Sequence, residues 1–172
     1  ILLTEEQIIN RVKEIGKAIS EDYKDKDLIV VGILKGSVIF ASELIKNISI
    51  PCEIDFMAVS SYGNSTETSG IVRILKDLDH GIEGKDIIIV EDIIDSGVTL
   101  DYLLKYLKAR KANSIEIVTL LTKPSRRMVD LDVKYCGFEV PDEFLVGYGL
   151  DYAERYRNLP YVGILKEEVY KK

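Results

Sequence analysis

An open α/β sheet, mostly parallel, flanked by helices and completed by a small hood built from C-terminal segments, is the architecture this sequence predicts. Three observations lead to it. The runs LIVVGIL at 28–34, IIIV at 87–90 and SIEIVTLLT at 114–122 are short, continuous and rich in β-branched residues, as strands buried on both faces of a parallel sheet are. The first two are each followed by a short polar or glycine-containing turn and then by apolar residues at helical spacing, the pieces of βαβ units. After residue 141, aromatic residues, glycines and acids succeed one another in a pattern that fits no core strand and reads instead as a ligand-lining hood.

In chain order, Thr4-Glu5-Glu6-Gln7 has the form of a capping box, and Ile8, Val12, Ile15 and Ile19 follow at helical spacing, which predicts a packing helix. The strand at 28–34 ends on Lys35-Gly36-Ser37, ahead of a helix carrying Val38, Phe40, Ala41, Leu44, Ile45 and Ile48. A strand that stops on Lys-Gly offers a cation and a bare backbone N–H to an anion, although any strand-to-helix turn can hold a lysine. Residues 52–61 alternate, with Ile54, Phe56 and Ala58 on one face, and a small, polar, glycine-bounded stretch separates them from a second strand at 71–75. A loop of that length inside a compact domain is a lid candidate. Residues 76–85 read as a charged turn region in which His80 is solvated. The strand at 114–122 ends on Lys123-Pro124, where proline stops the ladder and leaves the lysine at the strand end. Arg126 and Arg127 read as a solvated basic turn. Residues 133–140 alternate once more, 161–165 predict a final short strand, and 166–172 a solvated end.

The stretch IIIVEDIIDSGVTL at 87–100 organises the rest. A buried strand runs into Glu91 and Asp92, a third acid at Asp95, and then Ser96, Gly97 and Thr99 opening a helix. Ligands of open α/β sheets bind at this carboxyl edge. The backbone N–H groups of residues 96–99, two hydroxyls and the helix dipole suit a phosphate monoester. Three carboxylates beside that anion site would repel a nucleotide's phosphates; they suit a sugar with vicinal hydroxyls, or a metal ion that bridges the two.

The ordered run Val90-Glu91-Asp92-Ile93-Ile94-Asp95-Ser96-Gly97-Val98-Thr99 resembles the 5-phosphoribosyl-1-pyrophosphate (PRPP) signature of the type I phosphoribosyltransferases. Over nearly its whole length the chain resembles the 6-oxopurine branch of that family. The resemblance implies one phosphoribosyltransferase domain over 1–172, with the hood contributed mainly by 124–172. It implies a purine salvage enzyme that transfers 5-phosphoribosyl from PRPP to hypoxanthine or guanine, giving IMP or GMP and pyrophosphate with Mg²⁺ as cofactor. Glu91, Asp92, Asp95, Ser96, Gly97, Val98 and Thr99 would then bind the ribose phosphate, with Asp95 also the catalytic base. Leu34, Lys35 and Gly36, whose loop carries a cis non-proline peptide in the family, would bind pyrophosphate with Arg157. Ser61 and Tyr62 would belong to a flexible loop that closes over the reacting centre. Lys123 would donate to the 6-oxo group, Phe144 would stack on the purine, the Leu145 backbone would meet its other edge, and Asp151 would complete the purine site. Glu91, Asp92 and Asp151 would serve the metal, and the assembly would be a homodimer or homotetramer.

Two readings from other classes compete. A regulatory protein that kept the fold to sense PRPP or nucleotide would be marked by loss of Asp95 or of the loop tyrosine, and both are present. A structural interaction protein on a flavodoxin-like sheet has no reason to carry Lys35, Asp95, Lys123, Phe144, Asp151 and Arg157 together. Composition narrows the rest. With 172 residues, 47% of them apolar, the chain is long enough to bury a core without staples. Two cysteines, no CxxC spacing and one histidine argue against a zinc site or a disulfide framework. A net charge of −6 argues against nucleic acid as a partner. No stretch approaches the roughly 20 apolar residues of a membrane span, so no membrane is expected and the cytoplasm is the expected location.

Overall fold

A computed structural model describes residues 1–61 and 72–171. The capping box forms: the Gln7 N–H donates to the Thr4 hydroxyl at 3.2 Å, and the Thr4 N–H to the Gln7 side chain at 2.9 Å. Helix α1 (Glu5–Asp22) follows and buries Ile8, Val12, Ile15 and Ile19. The two buried runs become β1 (Leu28–Leu34) and β4 (Asp86–Ile94), paired in parallel from Leu28 opposite Asp86 to Gly32 opposite Val90. Between them come α2 (Val38–Lys46), β2 (Cys52–Ser61) and β3 (Val72–Lys76). After β4 follow α3 (Val98–Lys108), β5 (Ser114–Thr122) and β6 (Tyr135–Glu139). The sheet order is β3-β2-β1-β4-β5-β6, parallel throughout except that β3 runs antiparallel to β2 at the edge.

Successive side chains of a strand point to opposite faces, and both faces of this sheet are covered. Val30, Ile88, Val90, Val118 and Leu120 pack with α1 and α2, while Ile29, Val31, Ile33, Ile87, Ile89 and Ile117 pack with Leu100, Leu103 and Leu107 of α3. That is why these strands are unbroken apolar runs rather than alternating ones. Nearer the edge, Ile54 of β2 is exposed, and Phe56 and Met57 go to opposite cores. His80 is exposed, as expected of a turn residue.

A second, two-stranded antiparallel sheet pairs β7 (Leu145–Val146) with β8 (Gly163–Ile164). It is extended from the other end of the chain, since Leu3 bridges to Val162. The strand expected at 161–165 is two residues long, with Val162 just before it paired to the N-terminal segment. The last residues are largely solvated, as expected, with Lys166, Glu167, Glu168 and Lys171 exposed, but they are also ordered as a helical turn, α4 (Glu167–Tyr170), in which Val169 and Tyr170 are half-buried. No helix among the described residues is long and apolar enough to cross a membrane.

Candidate active site

The strand order reverses between β1 and β4, so the carboxyl ends of these two neighbours open a crevice. Three backbone segments meet there. A Cβ on Gly36 would run into Oδ2 of Asp92, and one on Gly149 into the carbonyl oxygen of Gly36. The Lys35-Gly36 turn is thus clamped between the end of β4 and the C-terminal segment, and only glycine allows both approaches. The Leu34–Lys35 peptide is cis.

Two acids close the end of β4. Burial and then the neighbouring Asp92 charge push the Glu91 carboxyl well above the usual carboxylate range. Burial raises Asp92 as well, opposed by hydrogen bonds from the Ile93 N–H (2.6 Å) and Glu91 and by the Arg157 charge. A carboxyl pair that resists double ionisation is short of positive charge or hydroxyl donors. Among the described residues no three His, Cys, Asp or Glu side chains gather into a metal-binding group. Paired carboxylates nevertheless fit an ion such as Mg²⁺, which keeps several waters and takes its remaining ligands from substrate oxygens rather than from an all-protein cage.

Beyond the acids the chain turns at Asp95 and Ser96 into α3, whose N-cap is Gly97. A pocket of about 160 Å³ at this helix N-terminus is lined by Glu91, Ile93, Ile94, Asp95, Ser96, Gly97, Thr99 and Leu100. A second cavity of about 220 Å³ adjoins it, lined by Ile93, Asp95, Lys123, Phe144, Leu145, Leu150 and Asp151. The two share Ile93 and Asp95. All four residues expected around a purine line the second cavity, and Lys123 is buried at the end of β5 with its amide N–H on the Ile94 carbonyl at 3.0 Å. A larger groove of about 580 Å³ lies along α3 and residues 130–132, away from the strand ends. Of its charged residues, Lys105 and Asp101 are paired with each other at 3.0 Å along α3.

The charged side chains of the crevice are paired with one another. Lys35 Nζ lies 3.2 Å from Glu154, and Arg157 lies 3.5 Å from Glu154 and 3.4 Å from Asp151. Arg157 also donates to the Gly149 carbonyl at 2.7 Å, and its Nε is buried without a hydrogen-bond partner among the described residues. Tyr148, Ala153, Glu154 and Tyr156 all have φ between 50° and 82° in this segment. Each non-glycine residue held there costs about 1 to 3 kcal/mol, and such residues cluster where a site requires them.

Arg126 is exposed in the expected turn and Arg127 half-buried, but neither guanidinium is free. A 3₁₀ turn at Pro124–Arg126 folds the chain back, and the Met128 N–H donates to the Ser96 carbonyl at 2.9 Å. Arg126 Nε then lies 3.1 Å from Asp95 Oδ1, and its Nη1 lies 3.4 Å from Asp142, which sits 3.7 Å from Lys123 Nζ. Arg127 donates to the Asp95 carbonyl and to the Thr122 hydroxyl. The sequence holds no signal for Arg126, Asp142 or Glu154 as site residues, because each reaches the crevice from an irregular turn without periodicity. Ser61 ends β2, while Tyr62, its partner in the expected flexible loop, lies outside the described residues.

The phosphoribosyl transferase domain family matches residues 1–153. Hypoxanthine-guanine phosphoribosyltransferase of Bacillus subtilis (strain 168) is 57% identical over 171 residues, spanning 99% of this chain and 95% of that protein. The protein of the same name from Staphylococcus epidermidis (strain RP62A) is 58% identical, spanning 100% and 96%. A crystal structure of a hypoxanthine phosphoribosyltransferase from Staphylococcus aureus superposes with a TM-score of 0.98 at 56% identity, spanning 100% of this chain and 94% of that one.

Proposed function

Because this chain belongs to the phosphoribosyltransferase family, and within it to the branch named for hypoxanthine and guanine, we propose that its crevice transfers 5-phosphoribosyl from PRPP to either base. The products are IMP or GMP and pyrophosphate, and the process served is purine salvage. The observation that carries this reading is the pair of adjoining pockets that share Asp95. A helix N-terminus beside carboxylates suits a ribose phosphate, and the neighbouring cavity offers a ring face and a buried lysine to a purine. A bond between sugar and base then forms beside one carboxylate.

The sugar carbon breaks its bond to pyrophosphate and gains one to the imidazole nitrogen of the purine. Positive charge grows on the sugar and negative charge on the leaving group, so fixed opposite charges lower the barrier. Lys35 and Arg157 face the pyrophosphate in this reading and exchange their pairing with Glu154 for the substrate. Residues 96–99 hold the 5-phosphate, and Glu91 and Asp92 accept hydrogen bonds from the ribose hydroxyls. Asp95 takes the purine proton, a role that contributes about 10²- to 10⁴-fold. Lys123 donates to the 6-oxo group, Phe144 stacks on the ring and the Leu145 backbone meets the opposite edge. Mg²⁺, when bound, supplies positive charge to the departing pyrophosphate, and Glu91, Asp92 and Asp151 are the residues that would serve it. The same reading takes 1–172 as one domain with a hood from 124–172, in a cytoplasmic homodimer or homotetramer.

A spectrophotometric assay with PRPP, Mg²⁺ and hypoxanthine, guanine or xanthine in turn tests it. Turnover of hypoxanthine and guanine, with IMP and GMP identified as products, is the expected result. Binding of PRPP without turnover of any base would refute it in favour of a regulatory protein.

A further inference from the structure

Phe144 has its ring held from behind. Tyr170, in α4, stacks on it at 4.9 Å between centroids and 27° between planes, and Tyr152 meets it edge-on at 5.6 Å and 81°. Phe144 lines the 220 Å³ cavity and neither tyrosine does, so Tyr170 stacks on the ring from outside that cavity. The approach of the tail is set by backbone pairing. The Leu165 N–H donates to the Phe144 carbonyl at 2.8 Å, Leu145 pairs with Ile164, and the Tyr152 hydroxyl reaches the Val169 carbonyl at 3.4 Å. A single turn then delivers Tyr170 back over Phe144, with the Lys171 N–H on the Glu167 carbonyl at 2.8 Å and their side chains 3.0 Å apart.

Phe144 is 36% exposed and sits just before a two-residue strand, so the backbone around it does little to fix its ring. Two aromatic contacts, one stacked and one edge-on, hold it instead: the stacked ring sets the plane, and the edge-on ring stops the slide within it. We propose that Tyr170 is a positioning residue for the base, fixing the plane of Phe144 so that its cavity face is a preformed stacking surface. This rests on Phe144 being the purine-stacking residue. The benefit is preorganisation: a platform already ordered charges the arriving base no ordering cost. It falls on base binding alone, because PRPP contacts neither ring in this reading.

The test compares Tyr170→Ala, Tyr170→Phe, Phe144→Ala and the double variant Tyr170→Ala/Phe144→Ala in the full chain, with KM for hypoxanthine, KM for PRPP, kcat and melting temperature measured for each. An aromatic pair is worth enough for about a two- to tenfold effect. Tyr170→Ala is expected to raise KM for hypoxanthine by that factor with KM for PRPP within about twofold of the parent, and Tyr170→Phe to restore it. In the Phe144→Ala background the loss of Tyr170 should add nothing further, as two residues acting through one ring require. If Phe144→Ala raises KM for hypoxanthine and Tyr170→Ala does not, the positioning role is overturned and the stacking role of Phe144 stands. If Phe144→Ala leaves KM for hypoxanthine unchanged, the stacking role falls and the positioning role with it. Equal rises in both KM values with a lowered melting temperature would mean that Tyr170 only stabilises the tail, which also overturns it.

Discussion

Replacing Asp95 with alanine separates its two conceivable duties. Near the start of α3 a carboxylate could cap the helix, a contribution of about 0.5 to 2 kcal/mol. The structure assigns the cap elsewhere: Gly97 is the N-cap, and the Val98 N–H approaches the Ser96 hydroxyl at 3.3 Å. What Asp95 does hold is Arg126, through side chains 49% and 54% exposed, and such a pair contributes about 0 to 1 kcal/mol. Arg126 also keeps Asp142 as a partner after the change. For a chain of this length about 1 kcal/mol shifts the melting temperature by about 2 to 4 °C, so Asp95→Ala should melt within about 4 °C of the parent. Turnover should fall far more, by about 10²- to 10⁴-fold if the carboxylate is the general base. The deficit should narrow as pH rises, because more of the purine then ionises in solution and needs no base. Steady-state kinetics with PRPP and hypoxanthine across pH, beside thermal melts of the same preparations, measure both quantities. Folded Asp95→Ala protein turning over within about threefold of the parent would remove Asp95 from that role.

Three further outcomes follow from the paired charges of the crevice. Asp151→Asn weakens the hold on Arg157 and removes a carboxylate from the proposed Mg²⁺ site, so the Mg²⁺ concentration for half-maximal rate and the KM for pyrophosphate in the reverse reaction should rise severalfold with the melting temperature unchanged; an unaltered Mg²⁺ titration would contradict it. Glu154→Gln frees Lys35 and Arg157 from their internal counter-charge. The Lys35 hydrogen bond and then its charge hold the Glu154 carboxyl below its usual range, and KM for PRPP should fall about two- to fivefold on its removal, whereas a rise would show Glu154 to be a positive contributor. Glu91→Gln should stabilise the substrate-free protein. Its raised carboxyl makes folding take up a proton, so stability falls as pH rises above the ordinary glutamate value of about 4.3. The variant should therefore melt about 2 to 4 °C higher at pH 7 and no higher at pH 4, while binding PRPP less tightly; equal melting at both pH values would count against a strained acid pair.

Repeating local chemistry was legible in the sequence. Unbroken β-branched runs report burial on both faces because a strand that carries helices on each side has no wet face to mark with polar residues, and β1, β4 and β5 stand where those runs do. The capping box at Thr4, the Lys-Gly end of β1 and the acids at the end of β4 are likewise short-range patterns with a mechanism inside a few residues. What only the tertiary structure decided is which distant groups meet. Lys35 and Glu154 are 119 positions apart, Arg126 reaches Asp95 through a 3₁₀ turn, and Tyr170 reaches Phe144 from a charged tail that has the composition of a solvated end. Periodicity says which way a side chain faces within one element. It says nothing of an irregular segment, whose direction is set residue by residue by backbone hydrogen bonds and left-handed turns such as those at 148–156. The hood of this crevice is built almost wholly from such segments, so its partners became visible only once the chain had folded back on itself.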